Sequence, residues 1–336
     1  MSYIVFENIE KYYDDNHVLK SINLSINKGD FVTLLGSSGC GKSTLLRCLA
    51  GLEQITRGKI FLQGEDITYL SPKERNIGMI FQQYSLFPNM NVYNNIAFGL
   101  KMKKVDKDVI NEEVQKALRL VDLKGYEKRY PYQLSGGEQQ RIALARSIVT
   151  KPKVLLLDEP FNAIDAKLRR SLQSRIKEIH KELNMTSIFV THDQEEAMIM
   201  SDIIHVMKNG VIEQSGTPVE IYRHPKGIFT AEFIGNHNIL EGKDFMNLTG
   251  EEHKDSKIVI RPETIEISHG EFSKGEDFYI LLGSIVDISF KGSIIRYMVN
   301  VNDIILKVDV LFDDYKIYDL GQKVYLKLLK EHCIGL

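Results

Sequence analysis

A nine-residue segment near the N-terminus constrains the fold of this chain more than any other feature. It spans positions 36–44 and reads GSSGCGKST, with an apolar run before it at 31–35 and an amphipathic run after it at 45–52. A strand, a glycine-rich loop and a helix in this order are the context that a phosphate-binding loop requires. The segment therefore predicts an α/β fold in which the loop holds phosphate groups at a helix N-terminus.

The residue types in this loop favour a nucleotide as its ligand. Glycines let several backbone N–H groups turn toward one anion, because no side chains crowd it. Lys42 adds a positive charge for the outer phosphates, and the Ser43 hydroxyl is suited to holding a magnesium ion. The predicted nucleotide contacts in the loop are Gly36, Ser37, Ser38, Gly39, Cys40, Gly41, Lys42, Ser43 and Thr44.

Length and composition limit the classes of protein that remain. The chain has 336 residues, which suggests about two domains. It has no apolar run approaching the ~18 residues of a membrane-spanning helix, and residues 1–13 lack the pattern of a signal peptide. Its three cysteines have no paired or metal-like spacing, as is typical of a reducing cytosol. The 43 basic and 45 acidic side chains nearly balance, which argues against a dedicated nucleic-acid partner.

Two acidic residues follow a strand that reads as fully buried. The apolar run 154–157 ends in Asp158-Glu159-Pro160. Ligands of open α/β sheets bind at the carboxyl ends of the strands, where the glycine loop already places phosphate and magnesium. Asp158 is therefore a natural magnesium ligand, and Glu159 a candidate general base that activates water.

Three further residues are candidates for the nucleotide site, and each could instead have a purely structural role. His192 ends the apolar strand 187–190 at the same predicted edge, which favours the site over a purely structural histidine. Gln82 follows the strand 77–81, where its amide could reach a metal ion or water, although such glutamines usually lie on the surface. Tyr13 ends the first strand and could stack on adenine, or be an ordinary half-buried strand tyrosine.

The segment 84–99 also keeps two interpretations. It is rich in apolar residues around a central Pro88, and it forms either a packed subdomain core or a semi-exposed groove for a partner helix. The apolar members are Leu86, Phe87, Met90, Val92, Tyr93, Ile96 and Phe98.

The run LSGGEQQR at 134–141 leads into a helix that extends through Val149. Ser135 is a plausible N-cap, and Glu138 three residues later completes the pattern of a capping box. Capping does not explain Gly136 and Gly137, which leave backbone N–H groups bare at a helix start. These two glycines therefore indicate an anion site.

The character of the chain changes after residue 235. The polar stretch 241–257 reads as a boundary, and short alternating segments follow at 257–261, 280–289, 294–301, 304–310 and 323–329. Such spacing predicts a small β-barrel or sandwich of the oligonucleotide/oligosaccharide-binding (OB) type. We therefore expect a nucleotide-binding domain at 1–235 and a β-barrel domain at 236–336.

In order and spacing, these motifs resemble those of ATP-binding cassette (ABC) ATPases. The motifs are GSSGCGKST, the Gln82 loop, LSGGEQQR, VLLLDEP, the turn at 162–165 and THD at 191–193. LSGGEQQR is the discriminating one, because other P-loop enzymes lack it. The resemblance covers residues 3 to about 235. The C-terminal segment, with Ile260-Arg261-Pro262-Glu263 near its start, resembles the TOBE-like accessory β-barrel of certain importers.

The resemblance implies a fold and a set of residue roles. The expected fold is a P-loop NTPase cassette with a helical subdomain and an antiparallel β-subdomain, followed by a small all-β barrel. ATP and Mg²⁺ are the implied ligands. The implied roles are phosphate and metal binding for Lys42 and Ser43, metal binding for Asp158, catalytic base for Glu159, γ-phosphate sensor for His192, a link between magnesium, water and the membrane partner for Gln82, adenine stacking for Tyr13, and contact with the ATP of the opposite subunit for Ser135, Gly136 and Gly137.

The resemblance also implies partners and a location. We expect an ATPase that works as a homodimer, or paired with a second cassette, on the cytoplasmic face of a prokaryotic membrane. Its partners would be integral permease subunits and, indirectly, a solute-binding protein, and segment 84–99 then favours the groove interpretation. Related importers serve polyamines, ferric iron, phosphonates, sulfate and sugars, and FTAEFIGNHNIL at 229–240 most resembles the polyamine, iron and phosphonate branch.

The alternative functions are ABC-type ATPases of DNA repair or of translation. Repair ATPases carry long heptad-rich insertions between the two halves of the site, whereas about ninety residues without heptads separate Lys42 from Ser135 here. Translation-associated members generally carry two cassettes in one chain, and this sequence has one.

Overall fold

The structure, a computed structural model, describes residues 2–81, 85–161, 166–313 and 317–336. Gln82 and the turn at 162–165 lie outside the described residues. The chain divides into two compact units, Met1–Val219 and Glu220–Leu336. The expected boundary between positions 235 and 236 lies later in the chain than this division and stays a prediction.

The N-terminal unit is a mixed α/β structure. Its described strands are β1 Ser2–Tyr13, β2 Asn16–Asn27, β3 Phe31–Gly36, β4 Arg57–Leu62, β5 Glu65–Asp66, β6 Ile77–Ile80, β7 Val154–Asp158, β8 Thr186–Thr191, β9 Ile203–Lys208 and β10 Val211–Gly216. Its described helices are α1 Lys42–Ala50, α2 Pro72–Arg75, α3 Val92–Met102, α4 Lys107–Leu120, α5 Gly136–Ile148, α6 Ala166–Glu182 and α7 Gln194–Met200, and α8 Pro218–Arg223 follows at the division between the units.

The central sheet brings the glycine loop, Asp158, Glu159 and His192 to one edge. Within the described residues it has six strands in the order β10-β9-β3-β8-β7-β6. Neighbouring strands are parallel except in the β9–β10 hairpin. Strands β3, β7 and β8 are buried along their whole length, because both faces of the sheet are covered. Their carboxyl ends coincide, since Asp158 pairs with Val190 and Leu35 with Thr191.

An antiparallel sheet and a helical region cover the two faces. The described part of the antiparallel sheet has the order β2-β1-β4-β5, and its apolar side chains share a core with one face of the central sheet and with α1. Helices α3, α4 and α5 share a second core with the opposite face. Helix α4 contributes one apolar face to this core, since Ile110, Val114 and Leu118 are buried there. The predicted cassette with helical and β-subdomains is confirmed.

Segment 84–99 contains a helix that the sequence did not predict. Val92 and Ile96 on α3 are buried, which confirms the core interpretation for those two residues, whereas Leu86, Phe87 and Phe98 are only partly buried. Asn95, fully buried on α3, organises the preceding loop. Its side chain accepts from the Phe87 N–H at 2.9 Å and donates to the carbonyl oxygens of residues 87, 90 and 91.

The C-terminal unit is predominantly antiparallel β-structure. Its described elements after α8 are α9 Ile228–Gly235, β11 Asn238–Glu241, α10 Gly242–Thr249, β12 Lys257–Ile260, β13 Ile265–Ser268, β14 Phe278–Lys291, β15 Ile294–Val301, β16 Ile304–Leu311, β17 Lys323–Leu329 and β18 Cys333–Gly335. In the described residues, a five-stranded sheet has the order β13-β17-β14-β15-β16 and a three-stranded sheet the order β11-β12-β18. Cα atoms of the edge strands β13 and β16 come within 8 Å of each other, so the larger sheet curls into the predicted barrel form.

The interpretation of 241–257 as a polar boundary is wrong in its first half. Helix α10 occupies residues 242–249, and its Phe245 and Leu248 are buried in the core of the C-terminal unit. These two apolar residues are three positions apart and therefore share a helix face. The many charged neighbours concealed this pattern in the sequence.

We expect α10 to contribute strongly to the stability of the C-terminal unit. Phe245 is 1% exposed and its neighbour Met246 is 51% exposed. The substitution Phe245→Ala should lower the free energy of unfolding by about 3–5 kcal/mol, because it leaves a cavity in the core. Urea unfolding of the full chain measures this effect. The matched variant Met246→Ala should stay within about 0.5 kcal/mol of wild type, and equal effects of the two variants would contradict the assigned packing.

Candidate functional site

The glycine loop joins β3 to α1 in a conformation that only small residues allow. Gly39 and Gly41 have positive φ angles of 81° and 104°. A Cβ atom at Gly36 would lie 2.3 Å from the Met207 carbonyl oxygen, so a side chain is excluded there. Lys42 is 4% exposed, and its ammonium donates to the carbonyl oxygens of Gly36 and Ser37, both at 2.8 Å. These two bonds compensate for the burial of its charge.

A hydrogen bond connects the loop to the acidic end of β7. The Ser43 hydroxyl donates to Oδ1 of Asp158 over 2.6 Å. Asp158 is 3% exposed, and its other carboxylate oxygen lies 3.8 Å from the Arg47 guanidinium on α1. A hydroxyl and a carboxylate oxygen this close form the kind of oxygen pair that Mg²⁺ prefers. The described residues hold no cluster of three histidine, cysteine or acidic side chains, so a cation here would need further oxygen ligands from substrate or water.

Glu159 and His192 lie side by side at the same edge. Oε1 of Glu159 is 3.6 Å from Nδ1 of His192. The Glu159 side chain is 16% exposed and that of His192 47%, so both reach solvent beside the loop. The Glu159 backbone N–H donates to the Val190 carbonyl over 3.1 Å, which connects the end of β7 to β8. Both residues therefore lie at the edge of the sheet that the sequence predicts for them, and their chemical roles stay predictions.

Glu159 has a backbone conformation that is unfavourable for a side chain of its type. Its φ angle is +45°. A residue other than glycine in this left-handed region costs on the order of 1–3 kcal/mol, and such residues cluster at functional sites. The neighbouring Pro160 fixes the following φ angle. Glu159 thus combines an unfavourable backbone conformation with a carboxylate that lies 3.6 Å from His192.

Behind His192, a buried network fixes the start of α7. The Thr191 hydroxyl donates to Oε2 of Glu196 over 2.6 Å, and Asp193 caps the helix by accepting from the Glu196 N–H. Burial raises the pKa of Glu196 above the ordinary value of a glutamate. Arg169 on α6 approaches Glu196 at 3.6 Å and Asp193 at 3.4 Å. This network orients the segment that carries His192.

Tyr13 lies beside the glycine loop, and the Lys11 side chain lies over its ring. The ring is 41% exposed, and the Lys11 ammonium lies 4.5 Å from its centroid. Lys11 also pairs with Glu53 at 3.4 Å and donates to the Gln54 carbonyl at 2.7 Å. Burial raises the pKa of the Tyr13 phenol, and Glu53 adds to this effect, while a hydrogen bond with Thr44 acts in the opposite direction. The Tyr13 phenol therefore lies close to both Glu53 and Thr44.

Ser135 caps α5 as the sequence predicts. Its hydroxyl and backbone N–H both donate to Oε2 of Glu138 at 2.8 Å, and its oxygen faces the Glu138 N–H at 3.4 Å. The bond from the Ser135 backbone is the largest of the effects that lower the pKa of Glu138. The capping box is therefore confirmed.

The two glycines that follow Ser135 differ in their surroundings. A Cβ atom at Gly136 would have no atom within 4 Å, whereas one at Gly137 would lie 2.5 Å from Cδ2 of Leu168 on α6. Gly136 is exposed and Gly137 buried. Packing alone explains the absence of a side chain at Gly137. The open space at Gly136 suits a ligand that approaches the helix N-terminus.

Lys11, Glu53 and Asn95 are site or support residues that sequence reasoning missed. Each is a single polar residue whose partners come from other elements, so no local pattern marks it. The alternation of β1 places Lys11 and Tyr13 two positions apart, on one face of the strand. That spacing is the signal that could have identified Lys11.

Taken together, the loop, the acidic strand end and the capped glycine pair define a class of protein. A P-loop beside an Asp-Glu pair, a histidine at the next strand end and an LSGG helix start are combined in ATPases of the ATP-binding cassette type. No helix in the described part of the chain is both long enough and apolar enough to cross a membrane.

Comparison with known proteins identifies the family. The ABC transporter family model matches residues 19–162, and the TOBE domain model matches residues 258–336. The chain is 46% identical to the spermidine/putrescine import ATP-binding protein PotA of Clostridioides difficile, over 89% of this chain and 88% of that protein. It is 43% identical to the PotA protein of Pasteurella multocida, over 96% of this chain and 94% of that one. The chain belongs to the family of ABC importer ATP-binding subunits that carry a C-terminal TOBE domain.

Solved structures agree with this fold. CbiO1 of Clostridium perfringens, part of the ABC transporter complex cbiONQ, matches with a TM-score of 0.62 and 32% identity, over 66% of this chain and 91% of that one. A dimeric ATP-binding cassette in a post-hydrolysis state, bound to ADP and Pi, matches with a TM-score of 0.58 and 30% identity, over 64% of this chain and 98% of that one. The expected ATPase activity is confirmed at the level of the family.

The unequal surroundings of Gly136 and Gly137 lead to a prediction. Gly137→Ala should lower the free energy of unfolding by roughly 1–3 kcal/mol, because its methyl group displaces Leu168. Gly136→Ala should leave stability unchanged or slightly raised, because alanine favours the helix. Thermal unfolding of both variants measures this difference. A loss of ATPase activity in a fully stable Gly136→Ala would then report on ligand contact alone, and destabilisation of Gly136→Ala would contradict the open space assigned to it.

Proposed function

We propose that this chain is the ATP-hydrolysing subunit of a polyamine importer. The observation that carries the catalytic part is the 2.6 Å hydrogen bond from Ser43 to Asp158, which brings the phosphate loop and the acidic strand end into one site. The names of the relatives, spermidine/putrescine import proteins, support the choice of solute. Polyamines were one of three solute classes that the sequence favoured, with ferric iron and phosphonates as the others.

The donor set at the loop fits MgATP. Backbone N–H groups of residues 36–44 and the Lys42 ammonium would bind the phosphates, and Ser43 with Asp158 would hold the ion. Gln82 would contribute through its amide. Magnesium supplies neutralisation of the charge that develops on the transferred phosphoryl group. Lys42 would exchange its bonds to the Gly36 and Ser37 carbonyls for bonds to phosphate oxygens, so its charge stays paired throughout.

Glu159 and His192 would act on the attacking water and the γ-phosphate. The Glu159 carboxylate would accept the proton from water, and the bond between Ser43 and Asp158 supports this choice because it engages the other acid at the end of β7. His192, 3.6 Å from it, would donate to the γ-phosphate and hold the carboxylate in position. Phosphoryl transfer depends on positioning and charge stabilisation, which are the contributions these two residues offer.

The site would be completed by a second copy of the chain. Ser135, Gly136 and Gly137 begin α5, and their N–H groups would bind the phosphates of ATP held by the partner's loop. A dimeric relative of known structure, bound to ADP and Pi, supports this arrangement. ATP would then favour the closed dimer, because it makes contacts there that an open pair does not offer. A second, non-identical cassette could replace the second copy.

A membrane partner would bind the partly exposed apolar residues before and on α3. Leu86, Phe87 and Phe98 form this surface in part, and the Phe87 and Phe98 rings pack at 4.7 Å between centroids. Arg146 on α5 lies over Phe87 and donates to the Ser85 carbonyl, which connects the surface to the helix that Ser135 begins. The chain would thus sit at the cytoplasmic face of the membrane, on permease subunits that receive solute from a binding protein.

The assignment of Glu159 as the base is tested by Glu159→Gln. The amide keeps the size of the side chain but cannot accept the proton, so hydrolysis should fall by at least about 100-fold while ATP binding persists. ATP should also convert the variant into a stable dimer, measurable by analytical ultracentrifugation. Glu195→Gln is the matched control, since Glu195 is an exposed glutamate on α7. Turnover close to wild type in Glu159→Gln would overturn the assignment.

The solute is tested with the transporter purified together with its membrane subunits and placed in lipid vesicles. Spermidine or putrescine, presented with the cognate binding protein, should stimulate ATP hydrolysis and be taken up into the vesicles. Ferric iron and phosphonate, supplied in the same way, are the controls from the two competing solute classes. Stimulation by either of them, without a response to polyamine, would show that the solute is misassigned while the ATPase assignment stands.

A further inference from the structure

Two exposed tyrosines precede the start of α5. Tyr130 directly precedes the 3₁₀ turn Pro131–Gln133 and Tyr132 lies within it, and their rings stack with centroids 5.8 Å apart and planes 19° apart. Tyr130 is 37% exposed and Tyr132 is 78% exposed. A large aromatic ring that is supported on one side and open to solvent on the other presents a flat apolar surface for a ligand.

The backbone under this pair is held in place from two sides. Within the turn, the Tyr130 N–H donates to Oε1 of Gln133 at 2.8 Å. From α5, the Gln139 amide donates to the carbonyl oxygens of Pro131 and Leu134, at 3.1 and 3.2 Å.

Helix α3 supports the segment just before the turn. The N–H groups of Val92 and Tyr93, in its first turn, donate to the carbonyl oxygens of Arg129 and Glu127 at 2.8 and 3.0 Å. The aromatic pair is therefore presented on a fixed backbone and does not depend on the ordering of a free loop. A side chain that is already positioned loses little conformational entropy when it binds.

The position of Tyr132 relates it to the proposed site. It lies three residues before Ser135, so the two Cα atoms are at most about 10 Å apart. Ser135 and Gly136 are proposed to bind the phosphates of ATP on the partner's loop. The nucleoside of the same ATP continues from those phosphates, and bases of every kind have a π-face on which an aromatic ring can stack.

We infer that Tyr132, supported by Tyr130, contacts the nucleoside of the ATP bound to the P-loop of a second copy of this chain. This inference rests on the proposed dimeric site and adds a base-recognising contact to it. The adenine would then meet Tyr13 of the chain that binds the phosphates and Tyr132 of the other chain. Tyr13 carries the Lys11 ammonium 4.5 Å from its ring centroid, so Lys11 supports the first contact as Tyr130 supports the second.

The test uses the full chain with Glu159→Gln, in which hydrolysis does not consume the nucleotide. The ATP concentration that gives half-maximal dimer is measured by analytical ultracentrifugation. Adding Tyr132→Ala should raise this concentration roughly 5- to 100-fold, the range for loss of one aromatic stacking contact. Tyr132→Phe, which keeps the ring, should stay close to the parent. The preference for ATP over UTP should narrow in Tyr132→Ala, because the larger base loses more stacking.

Two controls separate this contact from a structural effect. Tyr69→Ala removes a tyrosine that is 81% exposed elsewhere on the same unit, and it should leave the ATP dependence unchanged. Binding of a fluorescent ATP analogue to dilute monomer should be the same in Tyr132→Ala and the parent, since the contact is made by the other chain. An unchanged ATP dependence of dimerisation, or equal weakening of monomer binding, would overturn the inference. Failure of the Glu159→Gln parent to dimerise would overturn the proposed dimer, and the inference with it.

Discussion

The hydrogen bond between Ser43 and Asp158 is the contact on which the arrangement of the site depends. It joins the first residues of α1 to the end of β7, although β8 lies between β3 and β7 in the sheet. The loop and the acidic strand end meet only because parallel strands bring all their carboxyl ends to one edge. The pair also holds two hard oxygen ligands at a distance that suits a shared cation.

The same edge explains how much of the site was predictable. Lys42, Ser43, Asp158, Glu159 and His192 follow three apolar runs, and each run becomes a fully buried strand of the central sheet. Strands of this kind are recognised from sequence because they are continuously apolar and end abruptly in polar residues. Once the glycine loop identifies the phosphate-binding end, the polar residues after the other strands must lie close to it.

Features that depend on contacts between distant elements were not predictable in this way. Asn95 is a polar residue on an apolar helix, and only the folded structure shows that its amide donates hydrogen bonds to carbonyl oxygens of the loop at 87–91. Helix α10 was missed because two buried residues, Phe245 and Leu248, give too short a period among charged neighbours. Likewise, the cation over the Tyr13 ring becomes visible only once β1 is seen beside Glu53 and Gln54. In each case the decisive interaction joins residues that are distant in the sequence, so local secondary-structure propensity does not predict it.

The capping box at Ser135 bears on how the proposed dimer could open and close. The Glu138 carboxylate accepts hydrogen bonds from both the hydroxyl and the backbone N–H of Ser135, so this end of α5 is stable without a partner chain. Gly136 stays exposed, and the aromatic pair before it is already held in place. Since neither surface needs a second chain to fold, association in the proposed dimer would gain free energy chiefly from contacts with the nucleotide between the chains. Hydrolysis breaks the bond between the β- and γ-phosphates and so removes part of the free energy of association that ATP supplies. A dimer built on these surfaces would therefore open again in each cycle.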